Sequence, residues 1–501
     1  MRRAREPRLP RLRRLLLPLL FATGTLALAS GCSPDPEARP APANETPLQR
    51  PVGPNVILVV VDTLRADRLT QYGYPLRTGT PLGLLSDRAT RFDECYSPAP
   101  WTVPAMASLF TGLAPGRHRV DAVGASLAEV GTTLAESLRD AGWQTAGFSF
   151  NPHISERARF DRGFDDFVGH GGRISKAPDV RDLVQRAKGW IDRTSKPPFF
   201  LYLHPINVHG PYPVPADARA ALLGRPPAPG FEFFGPLMKD LMNGGKLERR
   251  LDVTPGFLTS LEEQYDSAVF HTSNELGLFF EWLNERESFD ESLVVLTADH
   301  GEELFDHGGF AHRYSLHREV LRVPLFVKLP GQKVPRAVAL PVSLLDVAPT
   351  ILDLLGLPIP EGDGRSLAPL LRDAAVDVSA GASAAIPAVL RDRRFVARAS
   401  NPKRCQGRAL RAGRWELHVI DRNYEGLENA VRLYDQESDP TQQKDVSSAH
   451  PELVRKLRAE LAALEASSRG DAAAPERYEL APEEREALEA LGYSTTVTSQ
   501  P

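Results

Sequence analysis

Residues 55–62 read Asn55-Val-Ile-Leu-Val-Val-Val-Asp62, an unbroken run of apolar, mostly branched side chains closed by a carboxylate. A strand with one wet face alternates apolar and polar residues, so a run without alternation predicts a strand buried on both faces in a helix-covered parallel sheet. Further runs of strand length stand at Thr145 to Phe150, Phe199 to His204, Leu293 to Ala298 and Leu325 to Leu329. Helical patterns such as Ser126 to Ala141 and Glu262 to Asn284 lie between them. The alternation predicts an α/β fold with a large, mixed but mostly parallel central sheet flanked by helices. In such sheets ligands gather beyond the carboxyl ends of the strands. Asp62, the His204 to His209 segment and Asp299-His300 all stand at such ends, so three strands are expected to deliver carboxylate and imidazole groups to one rim.

The flanks of this core read differently. Seven arginines from Arg2 to Arg14 precede the apolar run Leu15 to Ala29, which ends in small residues before Cys32. That layout predicts a signal peptide over 1–31 and export from the cytoplasm. A cysteine directly after small residues resembles a bacterial lipobox. Cys32 is thus expected to carry lipid and to anchor the protein to a membrane of the cell envelope, an ordinary cleaved signal or an uncleaved anchor being the alternatives. A Pro- and Ala-rich tether over 32–54 follows, then the catalytic domain over 55–371, with Gly210 to about Thr254 as a lid or substrate loop. An Ala-rich linker is expected over 372–392. A small C-terminal α+β subdomain follows over 393–466, built on pieces such as Trp415 to Ile420 and the charged helix Pro451 to Ala466, and 467–501 is expected to be a flexible tail. With 60 Lys+Arg against 64 Asp+Glu the chain is near neutral, which argues against a nucleic-acid partner. Cys95 and Cys405 have no partners at metal-ligand spacing and are read as structural or incidental.

Chemistry is concentrated in two places. Trp101-Thr-Val-Pro-Ala-Met-Ala-Ser-Leu-Phe-Thr-Gly112 reads as a short apolar helix beginning at Thr102 and stopped by Gly112. Its N-terminal dipole would favour an anion beside the Thr102 hydroxyl, while a plain N-cap is the other reading of that threonine. Asp299-His300-Gly301-Glu302-Glu303 follows a strand, and its oxygen and nitrogen donors suit one divalent metal ion. Zn, Mn or Ca is expected, with Zn or Mn the better match to mixed donors; a hydrogen-bonded turn is the alternative. No residue is assigned to an organic cofactor.

In combination these stretches resemble the sulfatase family of the alkaline phosphatase superfamily: Asn55 to Asp67, Trp101-Thr-Val-Pro through Phe110-Thr-Gly112, Asp299-His-Gly-Glu-Glu, Leu321-Arg-Val-Pro-Leu325, and the C-terminal Leu433-Tyr-Asp-Gln-Glu-Ser-Asp-Pro440. The resemblance implies Asp62, Thr102, Asp299 and His300 as metal ligands, with Thr102 also the covalent nucleophile. It implies His209, in His-Gly-Pro-Tyr, as a contact to the transferred group, and His312 as the residue assisting the leaving group, an exposed loop histidine being the alternative for the latter. His204, His307 and His317 are supporting candidates. The chain departs from the family where Cys or Ser precedes x-P-x-R, since it reads Thr102-Val-Pro-Ala-Met106, and where the first strand ends in Asp62-Thr63 rather than Asp-Asp. Threonine cannot become formylglycine. A threonine ester must be resolved by attack on sulfur or phosphorus itself, and this favours phosphorus. The expected function is an exported, metal-dependent hydrolase or transferase acting on a phosphate, phosphonate or sulfate ester of a small molecule, glycan or lipid. A strict arylsulfatase and an inert anion-binding protein are the alternatives.

Overall fold

Strand β1 (Val56–Val61) occupies the middle of the sheet in the computed structural model, and all six of its residues are buried. The structure describes residues 53–128, 130–169, 179–194, 198–225, 254–313, 315–372, 390, 393–401, 405–422, 427–468, 475–491 and 493. The leader with Cys32, most of the tether, part of the loop after Gly210 and most of the Ala-rich linker lie outside them.

Along the chain come β2 (Thr90–Tyr96), β3 (Gln144–Ser149), β4 (Asp166–Val168), β5 (Phe199–His204) and β6 (Leu293–Ala298). A two-residue ladder of β7 (Glu303–Leu304) and β8 (Phe310–Ala311) follows, then β9 (Arg322–Lys328), β10 (Arg336–Val338) and β11 (Val342–Ser343). The main sheet has the order β10-β2-β9-β6-β1-β5-β3-β4, with β11 also on β2. Only β9 runs antiparallel to its neighbours, so the sheet is mixed and mostly parallel, as expected. The continuous apolar runs explain this: strands buried on both faces are satisfied only between two helical layers. Register then fixes the site, since Val61 pairs with Ala298 and Val59 with Leu203, bringing the carboxyl ends of β5, β1 and β6 side by side.

Two predicted helices change length. The pattern at Ser126 to Ala141 yields a helix only over Leu134–Asp140, because Gly131 takes a positive φ of 52° and Thr133 caps the helix with Glu136 in a reciprocal pair of hydrogen bonds. The pattern at Glu262 to Asn284 extends back to Pro255, where Thr254 accepts from the Phe257 N–H and proline takes the first turn. This Pro255–Asn284 helix packs closely on the segment before β2; a Cβ on Gly277 would fall 2.2 Å from the Pro81 carbonyl oxygen.

The small C-terminal subdomain is an antiparallel sheet of β12 (Arg394–Asn401), β13 (Cys405–Ala412), β14 (Trp415–Arg422) and β15 (Glu428–Asp435). The helix Pro451–Ser467 covers it, burying Leu457 and Leu461 against Leu410, Leu417 and Leu433. Cys95 and Cys405 are both free thiols and buried.

Within the flexible tail expected over 467–501, residues 475–491 and 493 are corrected by the structure. Backbone bonds from Ser126 N–H to the Glu476 carbonyl and from Tyr478 N–H to the Gly124 carbonyl, both 2.9 Å, lead into a helix over Pro482–Ala490. Leu480, Leu488 and Tyr493 join the main core. The partners of this segment lie some 350 residues earlier in the chain, so nothing local to the tail reveals them.

Candidate active site

The helix Thr102–Thr111 is wholly buried, starts at the predicted residue and ends at Gly112 with a φ of 68°. Trp101, not Thr102, is the N-cap residue, and no side-chain cap bond is made, so the cap reading of Thr102 is overturned. Thr102 Oγ1 turns to the rim instead, 3.3 Å from His300 Nε2 and 3.3 Å from Asn151 Nδ2. The positive end of the helix dipole lies at the same point.

Around that hydroxyl the three strand ends converge. Asp62 follows β1, Asp299 follows β6 and His204 closes β5; their ligand atoms all lie within 4.8 Å of one another. His300 Nε2 is 3.3 Å from Asp299 Oδ2 and 3.9 Å from Asp62 Oδ1. All four residues are fully buried. Asp62 Oδ1, Asp299 Oδ2 and His204 Nε2 have no hydrogen-bond partner, which is costly for buried polar atoms and suits a cation among them. Burial opposes charge on Asp62, yet His204, whose Nε2 stands 3.6 Å from Oδ2, and the nearby His209 and His300 hold its carboxyl below the ordinary range. Burial, together with the Asp62 charge, pushes Asp299 upward. Two carboxylates that cannot both ionise comfortably are a pair a divalent cation would relieve.

The imidazoles are oriented for the same purpose. His300 Nδ1 lies 2.9 Å from the Gly301 carbonyl and His209 Nδ1 2.7 Å from the Gly210 carbonyl, so each ring donates there and presents the Nε2 lone pair inward. His204 Nδ1 is held by the Tyr202 hydroxyl at 2.7 Å. Gly301 is required by the tight turn, since a Cβ there would meet the Glu319 carbonyl at 2.0 Å. Thr63 spends its hydroxyl on the Asp62 carbonyl at 2.8 Å and its N–H on Asp299 Oδ1 at 3.2 Å, so it presents no side-chain ligand.

A second group of side chains faces Thr102. His312 is buried, not exposed on a loop, and its Nδ1 lies 2.8 Å from Glu302 Oε1. Burial pushes the Glu302 carboxyl well up, with the Asp62 charge adding to it, and pushes His312 well down. The pair is therefore neutral, with the Glu302 proton directed at Nδ1 and the ring proton at Nε2. His209 is likewise lowered by burial. Between the two histidines stands the Tyr493 hydroxyl, 2.9 Å from His312 Nε2 and 3.2 Å from His209 Nε2. Its ring meets His153 edge-on at 4.4 Å, and the Arg313 guanidinium lies over both Trp101 and Tyr493, 4.2 and 5.1 Å from the ring centroids.

The structure thus brings together Asp62, Thr102, His209, Asp299, His300 and His312, although they span 250 residues of sequence. His307 and His317 stack on each other 3.7 Å apart and bond to Gln442, away from this group, so they do not support it. Sequence reasoning gave His204 only a supporting part, although its position at the end of a predicted strand was the signal for a fuller one. Asn151, Glu302 and Tyr493 were missed; Glu302 lay in plain view beside Asp299-His300.

The sulfatase family profile matches residues 54–357, more than half of the chain, and the chain belongs to that family. Rat arylsulfatase K is 25% identical over 479 residues, covering 84% of this chain and 80% of that protein. The multifunctional alkaline phosphatase superfamily protein PehA of Trinickia caryophylli is 25% identical over 405 residues, covering 64% and 77%. Among solved structures, the phosphonate monoester hydrolase SpPMH from Silicibacter pomeroyi superposes with a TM-score of 0.65 at 21% identity, over 83% of this chain and 96% of that one. The protein is a sulfatase-family hydrolase.

Proposed function

We propose that this hydrolase cleaves a phosphate or phosphonate ester, with sulfate esters as the competing class, through a covalent ester on Thr102. One observation carries the reading: the Thr102 hydroxyl stands beside three buried, unpartnered ligand atoms on Asp62, Asp299 and His204. Asp62, His204, Asp299 and His300 would hold one divalent ion, and mixed nitrogen and oxygen donors favour Zn or Mn over Ca. When bound, the ion would acidify the Thr102 hydroxyl and polarise an oxygen of the transferred group.

The remaining work falls to the protein. Thr102 gives its proton to the His209 Nε2 lone pair and its Oγ1 forms a bond to phosphorus as the ester bond breaks, and the departing oxygen takes the Nε2 proton of His312 while Glu302 replaces it at Nδ1. His209, once it holds that proton at Nε2, and the helix N-terminus stabilise the negative oxygens. Water or an acceptor alcohol then attacks phosphorus, giving its proton back to the His312–Glu302 pair, and Thr102 leaves, taking its proton back from His209. Threonine has no second hydroxyl through which an ester could collapse by carbon–oxygen cleavage, and this favours phosphorus over sulfur. SpPMH, by its name a hydrolase of phosphonate monoesters, lends support from the same fold; arylsulfatase K, by its name, supports sulfur. An inert anion pocket would have no use for all of Asp62, Thr102, His209, Asp299 and His300.

Purified protein supplied in turn with Zn, Mn and Ca should turn over aryl phosphate diesters or phosphonate esters faster than aryl sulfates. No turnover of any of the three would reject the enzyme reading, and faster turnover of the sulfate would reverse the preference.

A further inference from the structure

The Tyr493 hydroxyl bonds to two histidines that the proposed reaction needs for the substrate, and it arrives from the far end of the chain. The surrounding space is closed. Thr102, His209, Asp299 and His300 are 0% exposed, and His312 and Tyr493 are 2% exposed. A tetrahedral group joined to Thr102 Oγ1 must turn one oxygen to His209 and its ester oxygen to His312. Both Nε2 atoms are occupied by the same phenol oxygen. A phenol is a neutral oxygen that both donates, here to His209 Nε2, and accepts, here from His312 Nε2, so it satisfies both ring nitrogens in the absence of substrate.

We propose that Tyr493 holds the place of a substrate oxygen at rest, and that the Pro482–Ala490 helix with Tyr493 is a displaceable plug which must withdraw before an ester reaches Thr102. The proposal rests on the reading of Thr102 and its histidines as the reaction site. The way the segment is held fits withdrawal. Ala487 and Leu488 are the apolar side chains the helix buries, with Leu480 just before it and Tyr493 just after. Its polar ties include the exposed Arg157, bonded to the Glu479 carbonyl at 3.2 Å and 3.8 Å from Glu484. A nine-residue helix that buries two apolar side chains of its own opens locally at lower cost than a central strand buried along its whole length. The pocket it would vacate, walled by Trp101, His153 and Arg313, is one that accepts a flat ring.

Orthovanadate, a tetrahedral oxyanion that needs no turnover, tests this on the full-length protein. Calorimetry should find it bound about tenfold more tightly by Tyr493→Ala than by the parent, because the closed state no longer competes, with Tyr493→Phe in between. Hydrogen exchange of the parent should show the amides of Pro482–Ala490 exchanging faster once orthovanadate is bound. Equal or weaker binding by Tyr493→Ala, absence of binding by both proteins, or unchanged or slower exchange in the helix would overturn the plug. If Tyr493→Ala does not fold, the exchange measurement on the parent decides alone. Because neither readout uses catalysis, a failure of the Thr102 chemistry is seen separately, as a missing covalent adduct.

Discussion

Asn151 donates through Nδ2 to Asp62 Oδ2 at 2.6 Å, and this fixes the carboxylate so that Oδ1 faces His300. The same amide nitrogen lies 3.3 Å from Thr102 Oγ1, so one side chain orients both the proposed ligand and the proposed nucleophile. Groups that orient a metal ligand from behind typically contribute 10–100-fold to affinity. Asn151→Ala is therefore expected to weaken Zn or Mn binding by about 10–100-fold in a calorimetric titration. An affinity within a factor of about two of the parent would show that Asp62 needs no such support.

Thr102 makes no cap bond, so its removal should cost little stability and nearly all the activity. Thr102→Ala is expected to lower kcat by orders of magnitude with the melting temperature almost unchanged, while Thr102→Ser keeps measurable turnover. Acid quench followed by mass spectrometry should find a phospho- or sulfo-adduct on Thr102 in the parent alone. Substantial turnover by folded Thr102→Ala would remove threonine from the mechanism.

The Asp62–Asp299 pair gives a test whose sign reverses with metal. Asp299 is raised by burial and by Asp62, so ionising it in metal-free protein works against the fold at neutral pH. Asp299→Asn should raise the melting temperature of chelator-treated protein and abolish the further rise that Zn or Mn gives the parent. A parent insensitive to both chelator and metal would count against the site.

His307 supplies a pH test remote from catalysis. Burial opposes its charge, but the Glu319 carboxylate, 2.7 Å from Nδ1, outweighs burial and raises the pKa to about 9. A folded pKa above the ordinary histidine value of 6.5 contributes stability that is full below about pH 6.5 and lost as pH rises through about 9. The melting-temperature deficit of His307→Gln should accordingly be largest near pH 6 and smallest near pH 10. A deficit constant across that range would mean the ring is not charged in the fold.

The leader sequence makes its own prediction. Cys32→Ser, expressed in a bacterium, is expected to shift the protein from the membrane to the soluble fraction. Unchanged partitioning would discard the lipid anchor.

The sheet could be read from residues because β1, β5 and β6 carry their burial in their own composition, and the rim followed because Asp62 and Asp299-His300 stand where those runs stop. The other members of the site leave weaker marks. His204 ends an apolar run as plainly as Asp62 does, but a single histidine at a strand end has many ordinary uses. Asn151 gains meaning only from Asp62, 89 positions away. Tyr493 gains it from His209 and His312, neither of which has any periodic or spacing relation to the tail. The helix Pro482–Ala490 did offer a proline start and Leu488 at core-facing spacing, yet its high charge concealed a stripe only one or two side chains wide.

The central position of β1 has a consequence for biosynthesis. This strand is made first, but its pairing with β6 waits for residues near Asp299, 236 positions beyond Thr63. At roughly 5–20 residues per second, the most apolar stretch of the catalytic sheet stays without both of its partners, and then with β5 alone, for roughly ten to fifty seconds after it leaves the ribosome. During that interval Val56–Val61 is an open template for any other nascent copy, and a holding chaperone that shields it should decide how much of the chain is recovered intact.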